Sequence, residues 1–133
     1  MYERVGEVDD AVLSFLKGRA MRADWKVVKG SGRDYLTSFC GDDVKGVFSW
    51  QHWQSAFFLK LPPGGKVHRH VDVLHPWKTY HVVVETNEGC VSYTDVPQHL
   101  EAGGIYSIDR TVEHWSENNG QSDRIHLLAE VYD

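Results

Sequence analysis

The chain predicts an all-β domain, a sandwich or barrel of short strands with one helix against it. Two observations carry that expectation. From Ala56 onward, short runs rich in Val, Ile, Leu, Phe and Tyr alternate with clusters of Gly, Pro, Asn, Asp and Ser. Only one segment, near the start, repeats apolar residues at helical spacing. At 133 residues, 41% apolar and 25% charged, the chain is expected to form a single domain, 1–133, with an ordinary buried core.

The elements follow in order. Glu7 to Lys17 places Val8, Val12, Phe15 and Leu16 on one helical stripe, with Glu7, Asp9 and Asp10 at the end that the helix dipole favours for acids. Such a helix serves to cover one side of a β core. Between Gly18 and Gln54, the glycines at 30, 32, 41 and 46 break the chain into pieces, with strands expected near Trp25–Val28 and Val47–Trp50. The aromatics Trp50, Trp53, Phe57 and Phe58 read most simply as core, with a pocket wall as the alternative. Strands are then expected at Ala56–Leu61, Lys66–Asp72, Tyr80–Thr86, Cys90–Thr94, Ile105–Asp109, His114–Glu117 and Arg124–Tyr132.

The totals exclude some functions. A formal charge of -5 argues against broad attraction to nucleic acid or an anionic membrane. No apolar run approaches the roughly 20 residues of a membrane span, and Met1-Tyr-Glu-Arg4 lacks the basic-then-apolar order of a signal peptide. Cys40 and Cys90 stand apart, outside any CxxC, so both are expected to be buried, unreactive and in a reduced, cytoplasmic setting.

Chemistry concentrates in Lys66-Val-His-Arg-His-Val-Asp72. In a strand, alternation sends His68, His70 and Asp72 to one face and Val67, Arg69 and Val71 to the other. His70 and Asp72 make an HxD pair, and two His with one carboxylate around open positions suit a divalent first-row metal such as non-haem Fe(II). The third ligand must come from elsewhere. His114 is the best placed, at the start of a strand. Arg124 opens the last strand, where a buried guanidinium requires an anion: either a carboxylate ligand or a neighbouring Asp123 or Glu130. If Asn119-Gly120 makes a two-residue hairpin, His114 and Arg124 fall on opposite faces. A shared site requires a three-residue loop with Gly120 at positive φ, or strands that part into different sheets. His52, His75 and His99 read as surface or loop residues.

Three segments then carry a resemblance: Val67-His-Arg-His-Val-Asp72, Thr79-Tyr-His-Val-Val-Val-Glu-Thr-Asn87 and His114-Trp-Ser-Glu-Asn-Asn-Gly-Gln-Ser-Asp-Arg-Ile-His-Leu-Leu128. Over roughly Phe57 to Asp133 the chain resembles the aspartyl/asparaginyl β-hydroxylase family of Fe(II)- and 2-oxoglutarate-dependent oxygenases. The resemblance implies a double-stranded β-helix, a cupin-like jelly roll, with the N-terminal helix packed on one side. It implies His70, Asp72 and His114 as iron ligands, and Arg124 as the anchor for the far carboxylate of 2-oxoglutarate. His81 becomes a second cosubstrate contact, and O2 the oxidant. The reaction implied is hydroxylation of an unactivated C–H, in an Asp- or Asn-type residue or amino acid. The family often carries Arg where this chain has Thr79. Lys78 and His126 are candidates to replace it, and His68 and Trp77 are further candidates for substrate or supporting contacts. The expected partner is a small-molecule or peptide substrate.

Two rival readings use the same residues. His68-Arg69-His70 also reads as the HxH of a cupin, a metal enzyme without 2-oxoglutarate, although no Glu follows at residues 73–76. The third reading is a non-catalytic barrel that binds a small ligand.

Overall fold

Alternation along the strands gives each one two faces, and the long-range pairings decide what each face meets. The computed structural model describes residues 1–30, 33–45, 53–71, 77–109 and 111–132, with the backbone alone for Lys45, Trp53, Gln54, Trp77 and Tyr132. Its strands are β1 (Glu3–Glu7), β2 (Lys26–Gly30), β3 (Arg33–Phe39), β4 (Trp53–Leu61), β5 (Lys66–His70), β6 (Trp77–Glu85), β7 (Cys90–Tyr93), β8 (Pro97–Gln98), β9 (Gly104–Ser107), β10 (His114–Asn118) and β11 (Arg124–Tyr132). Two helices, α1 (Asp10–Met21) and α2 (Asp42–Lys45), complete the described elements.

One antiparallel sheet runs β1-β9-β6-β11-β4-β3-β5-β10-β7-β8, with β2 hydrogen-bonded to β3. The β3–β5 link is a single pair, Asp34 with Lys66. The sheet curls there, so β5, β10, β7 and β8 form a smaller wall facing the larger one. This is the jelly-roll fold expected from the resemblance. The strands expected from Ala56 onward correspond to β4–β7 and β9–β11, and β2 occupies the place expected near Trp25. The expected Val47–Trp50 strand lies outside the described residues.

The helix differs at both ends from its expected Glu7–Lys17 span. Glu3–Glu7 is a strand because it pairs with β9, and helix begins where the Asp9 side chain accepts the Val12 amide (2.8 Å) as N-cap. It continues past Gly18 to Met21 because Ala20 and Leu16, four residues apart, are both buried against the larger wall. Phe15, counted with the apolar stripe, is exposed. Leu16, Ala20 and Val44 pack on Ala56, Phe58, Val82, Val84, Ile105 and Leu127, which project from the outer face of β4, β6, β9 and β11. Each fully buried Leu or Val there contributes roughly 2 kcal/mol. A second cluster, Tyr2, Val83, Leu100 and Tyr106, lies on the inner face.

The base of the barrel is closed by polar contacts. Asn118, fully buried, donates from Nδ2 to the carbonyls of Leu61 and Ser122 (both 2.8 Å) and accepts at Oδ1 from the Gly120 amide (2.9 Å). A Cβ at Gly120 would collide with the Asn87 side chain, so only glycine lets the chain pass there. Pro63 and Gly64 (φ 83°) form the expected turn into β5, closed by the Gly65 amide on Pro62 oxygen (2.7 Å). Cys90 is buried as expected; Cys40 is only half-buried, and burial pushes its thiol up to about 11. Among the described residues no helix is long and apolar enough to cross a membrane.

Candidate active site

Between the walls lies a cavity of about 630 Å³ bordered by His68, His70, Thr79, His81, His114, Arg124 and Glu130, among others. β10 pairs with β5 and β7, whereas β11 pairs with β4 and β6. The strands on either side of Asn119-Gly120 therefore part into facing walls, which resolves the parity conflict between His114 and Arg124. Gly120 is not among the positive-φ glycines, so the three-residue loop is not the solution.

β5 and β10 bring two imidazoles together. His70 and His114 are register partners, and their ring centroids are 4.2 Å apart. His70 Nδ1 bonds the His68 carbonyl (2.6 Å), and His114 Nδ1 bonds the Val112 carbonyl (2.9 Å). A carbonyl only accepts, so both rings carry hydrogen on Nδ1, and in the neutral ring the lone pair is on Nε2. That tautomer, fixed by a backbone acceptor, is the one that lets an imidazole ligate a metal through Nε2. Asp72 lies outside the described residues, and no group of three metal-binding side chains is found among those described.

A bulge modifies the expected alternation. Across from β10 the register slips between His114–His70 and Ser116–Val67, so β5 spends one extra residue there. His68 and His70 both border the cavity, as expected, but Val67 and Val71 border it too. Arg69 points away, over the Trp115 ring (4.0 Å) and onto Glu113 (2.9 Å).

The larger wall presents its inner face in register rows. Phe39, Phe57, Leu128, His81 and Tyr106 form one row across β3, β4, β11, β6 and β9. Thr37, Leu59, His126 and Val83 form the next row toward the base, where Arg124 stands opposite Leu61. Toward the mouth, the row is Ser55, Glu130 and Thr79. Phe57 thus takes the alternative reading, a cavity wall, whereas Phe58 takes the first and is fully buried behind it.

Arg124 is 3% exposed, and its Nε has no hydrogen-bond partner among the described residues. No carboxylate among the described residues pairs with it, so the expected alternatives Asp123 and Glu130 are not its counter-ions. Burial lowers its pKa to about 10, which still leaves a cation at neutral pH. Beside it His126 is buried, and desolvation, Arg124 and His81 together hold it well below the usual histidine range. The neutral His126 ring meets His81 through their Nδ1 atoms (3.2 Å), and Tyr2 stands edge-on to His81 with centroids 5.5 Å apart. Lys78, a candidate for the missing Arg, is exposed and shares the outward parity of Tyr80 and Val82. Thr79 borders the cavity; the Trp77 side chain lies outside the described residues.

Tyr2, Arg33, Tyr35 and Phe39 also border the cavity, beyond the residues expected from the sequence. In Arg33–Phe39 the inward positions are Arg, Tyr, Thr and Phe and the outward ones Asp, Leu and Ser, so no apolar alternation marks Tyr35 and Phe39. Tyr2 carried no signal.

The sequence model for "Aspartyl/Asparaginyl beta-hydroxylase" matches residues 36–133, from within β3 to the end and across both imidazoles and the guanidinium. The chain belongs to that family. It is a hydroxylase. Similar solved structures agree on the fold. AviO1 from Streptomyces viridochromogenes has a TM-score of 0.76 at 14% identity, covering 99% of this chain and 89% of that one. A Pseudomonas putida prolyl-4-hydroxylase gives 0.75 at 13% identity, covering 98% and 91%. A predicted oxalate decarboxylase from Thermotoga maritima gives 0.60 at 18% identity, covering 86% and 97%, so the barrel is shared with other chemistries. No curated protein matches the hydroxylase in sequence.

Proposed function

We propose that this hydroxylase depends on Fe(II) and 2-oxoglutarate, with His70, Asp72 and His114 as iron ligands, Arg124 and His81 as cosubstrate contacts, and O2 as oxidant. The observation that carries the reading is Arg124: a buried cation with no anionic partner among the described residues, at the base of the cavity that also holds the paired imidazoles. A buried charge left in this way is costly unless a ligand completes it. A dicarboxylate does so, with one end bidentate on the guanidinium and the other toward His70 and His114.

When bound, the metal and cosubstrate supply oxygen activation and hydroxyl transfer to a C–H bond. The chain's own residues do the rest. His70 and His114 present Nε2 on one side of the cavity, their rings fixed by the carbonyls of His68 and Val112. His126 holds His81, and Phe57, Leu59 and Leu128 keep the inner wall apolar and limit water near the reacting carbon. The family description points to an Asp- or Asn-type substrate, as a small molecule or in a peptide. A reducing, cytoplasmic setting fits two cysteines that form no disulfide.

Anaerobic addition of Fe(II) and then 2-oxoglutarate tests the reading. A weak visible charge-transfer band should appear with the wild type and be absent from His114→Ala. No band from correctly folded wild-type protein overturns it.

A further inference from the structure

Glu130 is a further charged group bordering the cavity, besides Arg124 and Arg33, and the chemistry above does not use it. Its side chain is half-buried on the same face of β11 as Arg124, at the opposite end of the strand. Its hydrogen-bond partner among the described residues is the Ser55 hydroxyl, at a long 3.3 Å, and none of the five described ion pairs includes it. Thr79, its register partner on the other side, brings no charge. A half-buried carboxylate without a cation costs free energy that a cationic ligand would recover.

Its height in the barrel identifies the ligand. Asn118 and Arg124 both lie at the level of Leu61, the first by a side-chain hydrogen bond and the second by register. Four residues up β10 from Asn118 is His114, and four residues up β11 from Arg124 is Leu128, so the paired imidazoles stand near the Leu128 row. Glu130 is one row further toward the mouth, roughly 7 Å along the strand. Phe57 and Phe39, leaning together with centroids 5.6 Å apart, flank that row on the β4 side, and aromatic rings next to a carboxylate favour a cation. Charge is therefore sorted along β11, positive at the base for an anionic ligand and negative at the mouth.

We infer that Glu130 is the counter-ion of a substrate ammonium group, so the substrate is a free amino acid or an amino-terminal residue. The α-nitrogen of an amino acid is two bonds from its β-carbon, so an ammonium seated on Glu130 leaves that carbon over His70 and His114. A residue inside a peptide offers an uncharged amide at the same place and leaves the carboxylate uncompensated. The inference rests on the proposed Fe(II)/2-oxoglutarate reading and names the substrate class for that site.

Calorimetry on protein loaded anaerobically with Fe(II) and 2-oxoglutarate tests it, using the standard L-amino acids and their Nα-acetyl amides as probes. At least one free amino acid should bind, and its acetylated form should bind about tenfold more weakly or worse. Glu130→Gln, which keeps the shape and the Ser55 contact, should weaken the free form by a similar factor and leave the 2-oxoglutarate Kd unchanged. Equal or tighter binding of the acetyl amides, no binding by any free amino acid, or an unchanged affinity in Glu130→Gln overturns the ammonium site. The acetylation comparison needs only the wild type, so it decides the matter even if the variant misfolds. Wild-type protein that does not bind 2-oxoglutarate overturns the cosubstrate reading instead.

Discussion

Replacing Arg124 with Met separates what the guanidinium costs the fold from what it contributes to binding. In the ligand-free protein Arg124 is buried with no anionic partner among the described residues, and burial lowers its pKa from the ordinary guanidinium range to about 10. At 1.36 kcal/mol per pH unit, holding that charge in place costs about 3 kcal/mol. Met fills a similar volume with no charge, so Arg124→Met should stabilise the ligand-free protein by an amount of that order, or roughly 10 °C in Tm for a domain of this size. The same change removes a charge-assisted bidentate contact worth about 2 to 4 kcal/mol, so the 2-oxoglutarate Kd should rise roughly 30- to 1,000-fold. Urea denaturation without ligand measures the first effect, and anaerobic calorimetry measures the second. A variant that is less stable than wild type without ligand, and binds 2-oxoglutarate equally well, would falsify the argument on both counts.

Other outcomes follow from the same geometry. Asn118→Ala should lower stability by about 3 kcal/mol in chemical denaturation, because it leaves the Leu61 and Ser122 carbonyls and the Gly120 amide without their side-chain partner; a loss below 1 kcal/mol would mean the base is held by other contacts. His126 is neutral when folded and protonates near pH 6.5 when unfolded, so the unfolded state takes up the proton and stability falls as pH drops below 6.5. Between pH 7 and 5.5 this should amount to about 1 kcal/mol, and His126→Gln should remove it; parallel stability–pH curves for the two proteins would contradict the assignment. For the metal, Asp72→Ala should abolish Fe(II) binding while His68→Ala leaves most of it. The reverse pattern in metal titrations would favour a cupin-type site.

Local pattern determined more of this protein than its modest length suggests. Period-two alternation located the strands from Ala56 onward, placed His68 and His70 on the cavity and put Arg124 and His126 on one face of β11. Helical spacing found α1, although its ends were decided by the Asp9 cap and by the pairing of Glu3–Glu7 with β9. Alternation is a property of a few neighbouring residues, and a chain carries it wherever one face is buried.

Which strand pairs with which is a long-range choice, and it decided the rest. Only the tertiary structure shows that β10 and β11 part into opposite walls, so that His114 and Arg124 face each other across one cavity. Only it supplies the bulge in β5, the inner wall from β3, and the rows that set Glu130 above Leu128 and Arg124 below. These follow from register and sheet curl, which depend on partners tens of residues away and leave no mark in a local window.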